Sequence, residues 1–598
     1  MKKIINIGII VLMLFLNGCN SHSDVIDEPA VEDVPLFSEM TLDEFYKDLG
    51  YKIIDLNPEI VDFFGDLSFY GVSIEKNRLN DITEESAEEM RILLTEALDF
   101  MEGKEDGLEF DEKMNFLNIK WYIEMELERI SFFKNIIFMG HFDGEHWYLN
   151  DLLTEMHVVE NVKDAENLIE RYKLSGKKIN DMATRYTSNT AEGYVMDPQS
   201  IKKTIVQVSG MFYDEPDKMA IYRKFKKDIE ALELEEEVSS ELLESAKTAI
   251  KNNYIPAMKN LVSALNDSLE VSRVTRGVWQ VPNGEAYYQH TLKYYTTTDY
   301  TPEEIHELGL KEVERIVKQL EEMSESLGYN GSVNNMITEM KAKDKRYKSQ
   351  LTIDRFQSVM DLAYETLPLY FHKEDIPKSN TLLKYSYGGN YYMGPSMDGK
   401  REGAYFLDSR FIKRDIDINP IAFHEGVPGH HLQRSKEVEL VNIPLVSKFS
   451  VNTAFTEGWA LYAEMLADEM GLYDTPSREV GYLKSELLRA ARLVADTGIH
   501  SKQWSRGYAI DYLTFYAKQS EGLATSEVTR YTSWPGQACA YKIGQLKILE
   551  LRDLAEASLG DLYDIKDFHS AVLKNGSMPL ELLEMQINQY IEDTLNQN

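Results

Sequence analysis

The chain has 598 residues, with 43% hydrophobic and 27% charged side chains and a formal charge of −36. That balance is globular rather than disordered, and the length suits a large enzyme or two to four domains. The negative charge is spread along the chain, so the surface repels nucleic acid and anionic headgroups, and no nucleic-acid partner is expected.

In chain order, residues 1–18 read as a signal peptide. Lys2 and Lys3 precede an apolar run, residues 4–16, that is too short for a comfortable membrane span. The run ends in "LNGC" and resembles a bacterial lipoprotein signal, with Gly18 before the cleavage point and Cys19 as the lipidation site. Residues 19–40 then form a tether. The protein is expected in the cell envelope, outside the cytoplasm, held to a membrane by its N-terminal lipid. The alternative is an uncleaved anchor or an ordinary signal peptide. Cys539 is the other cysteine, so with Cys19 lipidated no internal disulfide is expected.

Residues 41–270 read as an N-terminal helical region. In "MNFLNIKWYIEMELERISFF" (114–133) apolar residues recur at three and four. Residues 239–269 read as two helical segments with Pro256 bending the join. Residues 271–598 read as a catalytic helical region, and the two regions can also form one intertwined domain. Thr301 is an N-cap candidate with Pro302 in the first turn. Strand signal concentrates in residues 385–408, rich in aromatics and glycine with a turn at Asp398-Gly399, which reads as a hairpin or small sheet. Within it "GAYFLD" (403–408) is a candidate edge for an extended peptide. The expected fold is mainly α, a large helical body with a small β element beside the site.

That site begins at "HEGVPGHH", residues 424–431, which gathers three of the 12 histidines beside a glutamate. The usual zinc-helix pattern, H-E-x-x-H, sets two histidines one turn apart, but the fourth residue after His424 is Pro428. Pro428 lacks the N–H that would bond the His424 carbonyl and crowds that carbonyl, while Gly426 and Gly429 permit adjustment. A kink or π-bulge is therefore predicted to bring His430 beside His424, with His431 as the alternative ligand, and to turn Glu425 toward a metal-bound water. The competing reading is a broken helix with histidines at a polar bend. A catalytic Zn²⁺ needs a third protein ligand. Glu457 lies in the apolar, aromatic "NTAFTEGWALYAEMLADEM", where a carboxylate requires a partner; a metal or an arginine would serve. Glu464 follows on the same helix. Gln433 is placed to orient His430.

Further along, Arg492, Asp496 and His500 recur at spacings of four and share a helical face, suited to a substrate carboxylate, a developing oxyanion or a structural salt bridge. In "SWPGQACAYKIG", Pro535 suits a helix start, and Gln537 and Tyr541 fall at i and i+4. Arg530, just upstream, is a candidate for a substrate carboxylate.

The motifs "HEGVPGHHLQ", "TEGWALYAE", "RLVADTGIHSKQWSR" and "WPGQACAYKIG", in that order, resemble the bacterial family called domain of unknown function 885. That family is placed with the glutamate-zinc peptidases, alongside the angiotensin-converting-enzyme-like and oligopeptidase groups. The resemblance implies a helical body with a deep cleft, a zinc cofactor and a thermolysin-type mechanism. It also implies Glu457 as the third ligand, with Glu464 too far on, and Tyr541 as an oxyanion donor. The expectation is an exported, lipid-anchored zinc metallopeptidase acting on peptides. The alternatives are a zinc hydrolase of another amide or ester and a non-catalytic lipoprotein that binds peptides or glycans.

Overall fold

The computed structural model describes residues 36–272, 277–386, 390–408, 413–441 and 443–597. The signal peptide, Cys19 and most of the tether lie outside the described residues. The fold is mainly α with small sheets of two and three strands.

Local signals set the helix starts. Leu42–Leu56 opens on Thr41, whose hydroxyl accepts from the Glu44 N–H while the Glu44 carboxylate accepts from the Thr41 N–H at 2.9 Å. Pro302–Ser326 opens with the same reciprocal pair, Thr301 and Glu304. These boxes satisfy amides that no turn of the helix can reach. The periodic stretch at 114–133 falls, but for its last two residues, in the helix Phe110–Ser131. Near Pro256 the two helical segments, Glu236–Ala249 and Ile255–Val271, join through a π-helical turn, Ile250–Tyr254. The wider turn takes up the carbonyl that a proline cannot bond.

One core cluster joins Tyr287, Phe356, Trp459, Leu487, Val494 and Ile548 across the C-terminal half. A second gathers Leu168, Tyr172, Met182, Phe225 and Leu261 within residues 82–265. A third packs Phe37, Phe45, Leu94 and Phe116 against Val446 and so ties the first helices to the C-terminal half. No helix among the described residues is long and apolar enough to cross a membrane.

Three strands, β1 (Leu382–Ser386), β2 (Tyr391–Met393) and β3 (Ala404–Asp408), form a sheet in the order β1-β3-β2. β1 runs parallel to β3 with Leu382 opposite Ala404, and β2 runs antiparallel with Tyr391 opposite Phe406. Only β2 and β3 form the expected hairpin. β3 is buried along its whole length because Tyr405 and Leu407 face the main core while Ala404 and Phe406 pack with Met393. It is the middle strand, paired on both sides, and offers no edge to an incoming peptide.

The site helices are α1 (Asp415–Glu425), α2 (His430–Glu439), α3 (Thr453–Glu469), α4 (Pro476–His500), α5 (Glu521–Ser533) and α6 (Ala540–Leu559). α3 and α6 cross backbone to backbone at Gly458 and Gly544: a Cβ on Gly458 would stand 2.5 Å from the Gly544 Cα, and one on Gly544 would collide with the Ala454 carbonyl. Glu457 adjoins Gly458 on α3, and Tyr541 lies three residues before Gly544 on α6.

Candidate metal centre

The expected kink is a full stop and restart. α1 ends at Glu425, residues 426–429 turn the chain, and α2 begins at His430. The Val427–Pro428 peptide is cis. The Gly426 N–H closes α1 on the Ala422 carbonyl at 2.9 Å, and the His431 N–H returns to the Gly426 carbonyl at 3.0 Å. A Cβ at Gly429 would collide with the carbonyls of Phe423 and His424, so the restart folds onto the end of α1 only because residue 429 has no side chain. Trp459 of α3 donates its indole N–H to the Pro428 carbonyl at 2.9 Å and fixes the turn against α3. The His424 and His430 rings then stand 4.8 Å apart, nearly perpendicular.

Glu457 closes the constellation. Its Oε2 lies 3.3 Å from the His424 Nε2 and 3.3 Å from the His430 Nε2. All three donor atoms lie within 4.8 Å of one another, and among the described residues no other group of His, Cys, Asp and Glu converges in this way. Tetrahedral zinc with bonds of about 2.0–2.1 Å sets neighbouring ligand atoms about 3.3 Å apart, so the residues fit the ion. The side chains keep 6%, 13% and 17% exposure in the order His424, His430, Glu457, so solvent still reaches the centre. An apolar cavity between Ile137, Phe138, Tyr186, Val195 and Val281 lies apart from it.

Glu464 lies behind His424, with Oε1 2.9 Å from its Nδ1 and 3.2 Å from an Arg489 Nη2. It stands on the Nδ1 side of His424, opposite the Nε2 that faces Glu457. Burial opposes a charge on His424, yet the Glu457 and Glu464 carboxylates outweigh it and push the imidazolium up to about 10. Burial likewise opposes the Glu457 charge, and the two histidines overcome it, holding that carboxyl well below its usual range. Burial pushes the Glu425 carboxyl up, and His424 and His430 only partly offset this.

Several expected roles change. His431 is committed elsewhere: its Nδ1 accepts from the Tyr392 hydroxyl at 2.9 Å and its Nε2 donates to the Ser379 carbonyl at 2.7 Å. Adjacent residues at a helix start point about 100° apart, so only one of the two histidines can face the centre. Gln433 donates to Glu437 at 2.9 Å, its neighbour one turn on, rather than orienting His430. His500 is 1% exposed and both its nitrogens are used, accepting from the Val278 N–H at 3.1 Å and donating to the Tyr531 carbonyl at 3.0 Å. Burial lowers its pKa to about 4. Asp496 accepts from the Tyr288 hydroxyl at 2.7 Å and the Gly536 N–H at 3.1 Å, and burial raises its carboxyl to about 7. Asp496 and His500 share a face of α4 that looks into the core. Pro535 lies in the turn after α5, and the short helix Gln537–Cys539 leads into α6.

Arg492, Arg530, Gln537 and Tyr541 do come together beside the centre. The Tyr541 ring lies 6.2 Å from that of His424 at an angle of 17°. Arg530 donates through Nη2 to the Tyr541 oxygen at 2.9 Å and to Gln537 at 2.6 Å, and the Arg492 guanidinium sits 4.6 Å from the Tyr541 ring centre. Sequence reasoning missed Glu527, which accepts from Arg492 Nε at 2.8 Å, and Arg489, which holds Glu464. Their signal is weak: each is one charged residue among several on its helix, with nothing in its neighbours that marks it.

Curated proteins give no match to the chain. Two solved structures share its fold. A candidate lipoprotein from Colwellia psychrerythraea superposes with a TM-score of 0.85 at 24% identity, covering 92% of this chain and 98% of that one. A candidate lipoprotein of unknown function from Shewanella oneidensis superposes with a TM-score of 0.69 at 15% identity, covering 92% of this chain and 100% of that one. The profile of one bacterial family matches residues 65–587, and with the fold and site now in view the chain belongs to it: the bacterial proteins of unknown function designated DUF885.

Proposed function

We propose that the protein is a zinc-dependent hydrolase, a peptidase, exported and lipid-anchored through Cys19. The observation that carries this reading is one carboxylate oxygen, Glu457 Oε2, equidistant from two imidazole nitrogens, with Glu425 adjoining His424. His424, His430 and Glu457 would hold the ion, which supplies a Lewis acid and brings the pKa of a water toward neutrality when bound. Glu464, braced by Arg489, keeps the His424 Nε2 turned inward. Glu425, its carboxyl raised by burial, accepts the proton of the attacking water and returns it to the leaving nitrogen. The Tyr541 oxygen accepts from Arg530, which leaves its own O–H free to donate to the oxyanion that develops on the scissile carbonyl. The lipoprotein descriptions of the two structural neighbours support the anchor.

Metal analysis of the purified protein tests the centre. Wild type should carry about one zinc per chain by the three-ligand argument. His424→Ala and Glu457→Ala should fall well below that while helicity by circular dichroism holds. Full zinc occupancy in both variants overturns the assignment.

A further inference from the structure

We propose that Arg492 and Arg530 bind the C-terminal carboxylate of the peptide, so that the centre removes residues from the C-terminal end of short chains. The proposal rests on the peptidase reading for the reaction, but its binding site stands on its own geometry.

The cluster beside Tyr541 holds two guanidinium groups and one firm carboxylate. Glu527 Oε2 takes the Arg492 Nε at 2.8 Å and the Tyr531 hydroxyl at 2.9 Å, and Glu527 Oε1 stands 3.8 Å from Arg530 Nη1. The Arg530 Nη2 donates to two uncharged partners, Gln537 and Tyr541. Arg492 is 5% exposed, and its Nη1 has no hydrogen-bond partner among the described residues. Asp496 is the next carboxyl, but burial raises it to about 7, so it does not fully neutralise the second arginine at neutral pH. Among its own side chains the cluster therefore holds more guanidinium charge than carboxylate, and an unpaired, buried donor, in a chain of net charge −36. A buried cation without a complete partner is costly, and an arriving carboxylate supplies the missing acceptor in the geometry a guanidinium prefers.

Position fixes which carboxylate it is. Both arginines meet at Tyr541, whose ring stacks on the ligand His424. The site is thus one aromatic ring from the metal ligands, a gap that one or two extended residues span at about 3.3–3.6 Å each. Glu527 and Gln537, the partners of the two arginines, are themselves buried. A paired guanidinium site backed by buried groups suits a carboxylate at a chain end, which is planar and doubly acceptor, and the comparison of acid, amide and glutamyl amide below separates it from an acidic side chain in mid-peptide.

The test uses the full chain with zinc and an N-dansylated alanine pentapeptide in three forms: free acid, C-terminal amide, and amide with glutamate next to last. The free acid should show kcat/KM about 10- to 100-fold above the plain amide, the factor expected for hydrogen bonds to a charged group. Arg530→Gln should collapse the acid-to-amide ratio toward one. Equal turnover of acid and amide by wild type overturns the proposal, as does a glutamyl amide cleaved as fast as the acid. A second arm needs neither turnover nor a cluster variant that folds. In calorimetry on as-purified Glu425→Gln protein, the acid should bind at least about tenfold tighter than the amide. Equal binding overturns the carboxylate site. Preferential acid binding with no cleavage of any form by wild type keeps the site and removes the peptidase reading instead.

Discussion

Gly544→Ala tests whether the crossing of α3 and α6 sets the metal geometry. A Cβ there would lie 2.8 Å from the Ala454 carbonyl carbon and 2.8 Å from the Gly458 Cα, and closer still to the Ala454 oxygen. Carbon atoms pack at about 3.5–4.0 Å, so α3 must retreat by about 1 Å. Every opposing atom is backbone, so no side chain can swing aside to absorb the strain. Overpacking of this kind costs about 1–3 kcal/mol, offset in part by the roughly 0.5–1 kcal/mol that alanine gains over glycine in a helix. Glu457 adjoins Gly458 and moves with α3. Metal–ligand distances hold to about 0.2 Å, so a shift of about 1 Å disables one of three ligands. The expected result is a lower melting temperature and a zinc affinity reduced at least about tenfold, or ~1.4 kcal/mol, in competition with a chromophoric chelator. Gly522→Ala is the matched control. It sits in the first turn of α5, where a Cβ meets nothing within 4 Å, and it should leave zinc affinity unchanged. If Gly544→Ala melts with wild type and binds zinc as tightly, the crossing does not position Glu457.

Glu425→Gln should leave zinc content unchanged and lower turnover at least about a hundredfold, ~2.7 kcal/mol in the barrier, with little change in substrate affinity; retained turnover would move the base elsewhere. Asp496→Asn addresses pH. The Asp496 carboxyl titrates at about 7 in the fold, against an unfolded value of about 3.9, so the fold holds its proton through that window and the residue costs stability as pH rises across it. The asparagine keeps an acceptor for Tyr288 and Gly536 without that cost, so calorimetry should find the variant gaining on wild type from about pH 4 to pH 7, and a gap independent of pH refutes the assignment. Cys19→Ser should release the protein from membranes or block its maturation, and a variant that stays membrane-bound and acylated would dismiss the lipid anchor.

The helical body is legible in the sequence because its signals are local. Periodicity at 114–133 and the Thr301-Pro302 start need no knowledge of the rest of the chain. The histidine stretch at 424–431 and the glutamate among aromatics at 457 stand out in the sequence too, and the family resemblance joins them into one ligand set. The choice between His430 and His431 is not legible, since it depends on the phase at which α2 restarts after residues 426–429. Nor is the inward turn of Asp496 and His500: a spacing of four puts residues on one face and says nothing of what that face meets. The order β1-β3-β2 escapes for a related reason, because the parallel partner of β3 lies across an intervening strand.

The turn at residues 426–429 is tied within the protein by hydrogen bonds to Ala422, to Gly426 and from the indole of Trp459. In a zinc finger the metal is the core, and the fold is lost with it. In this protein an ion would enter a frame already finished. On the proposed reading, loss of a ligand by mutation removes the ion and spares the helices, so zinc content and helical content vary independently in such variants.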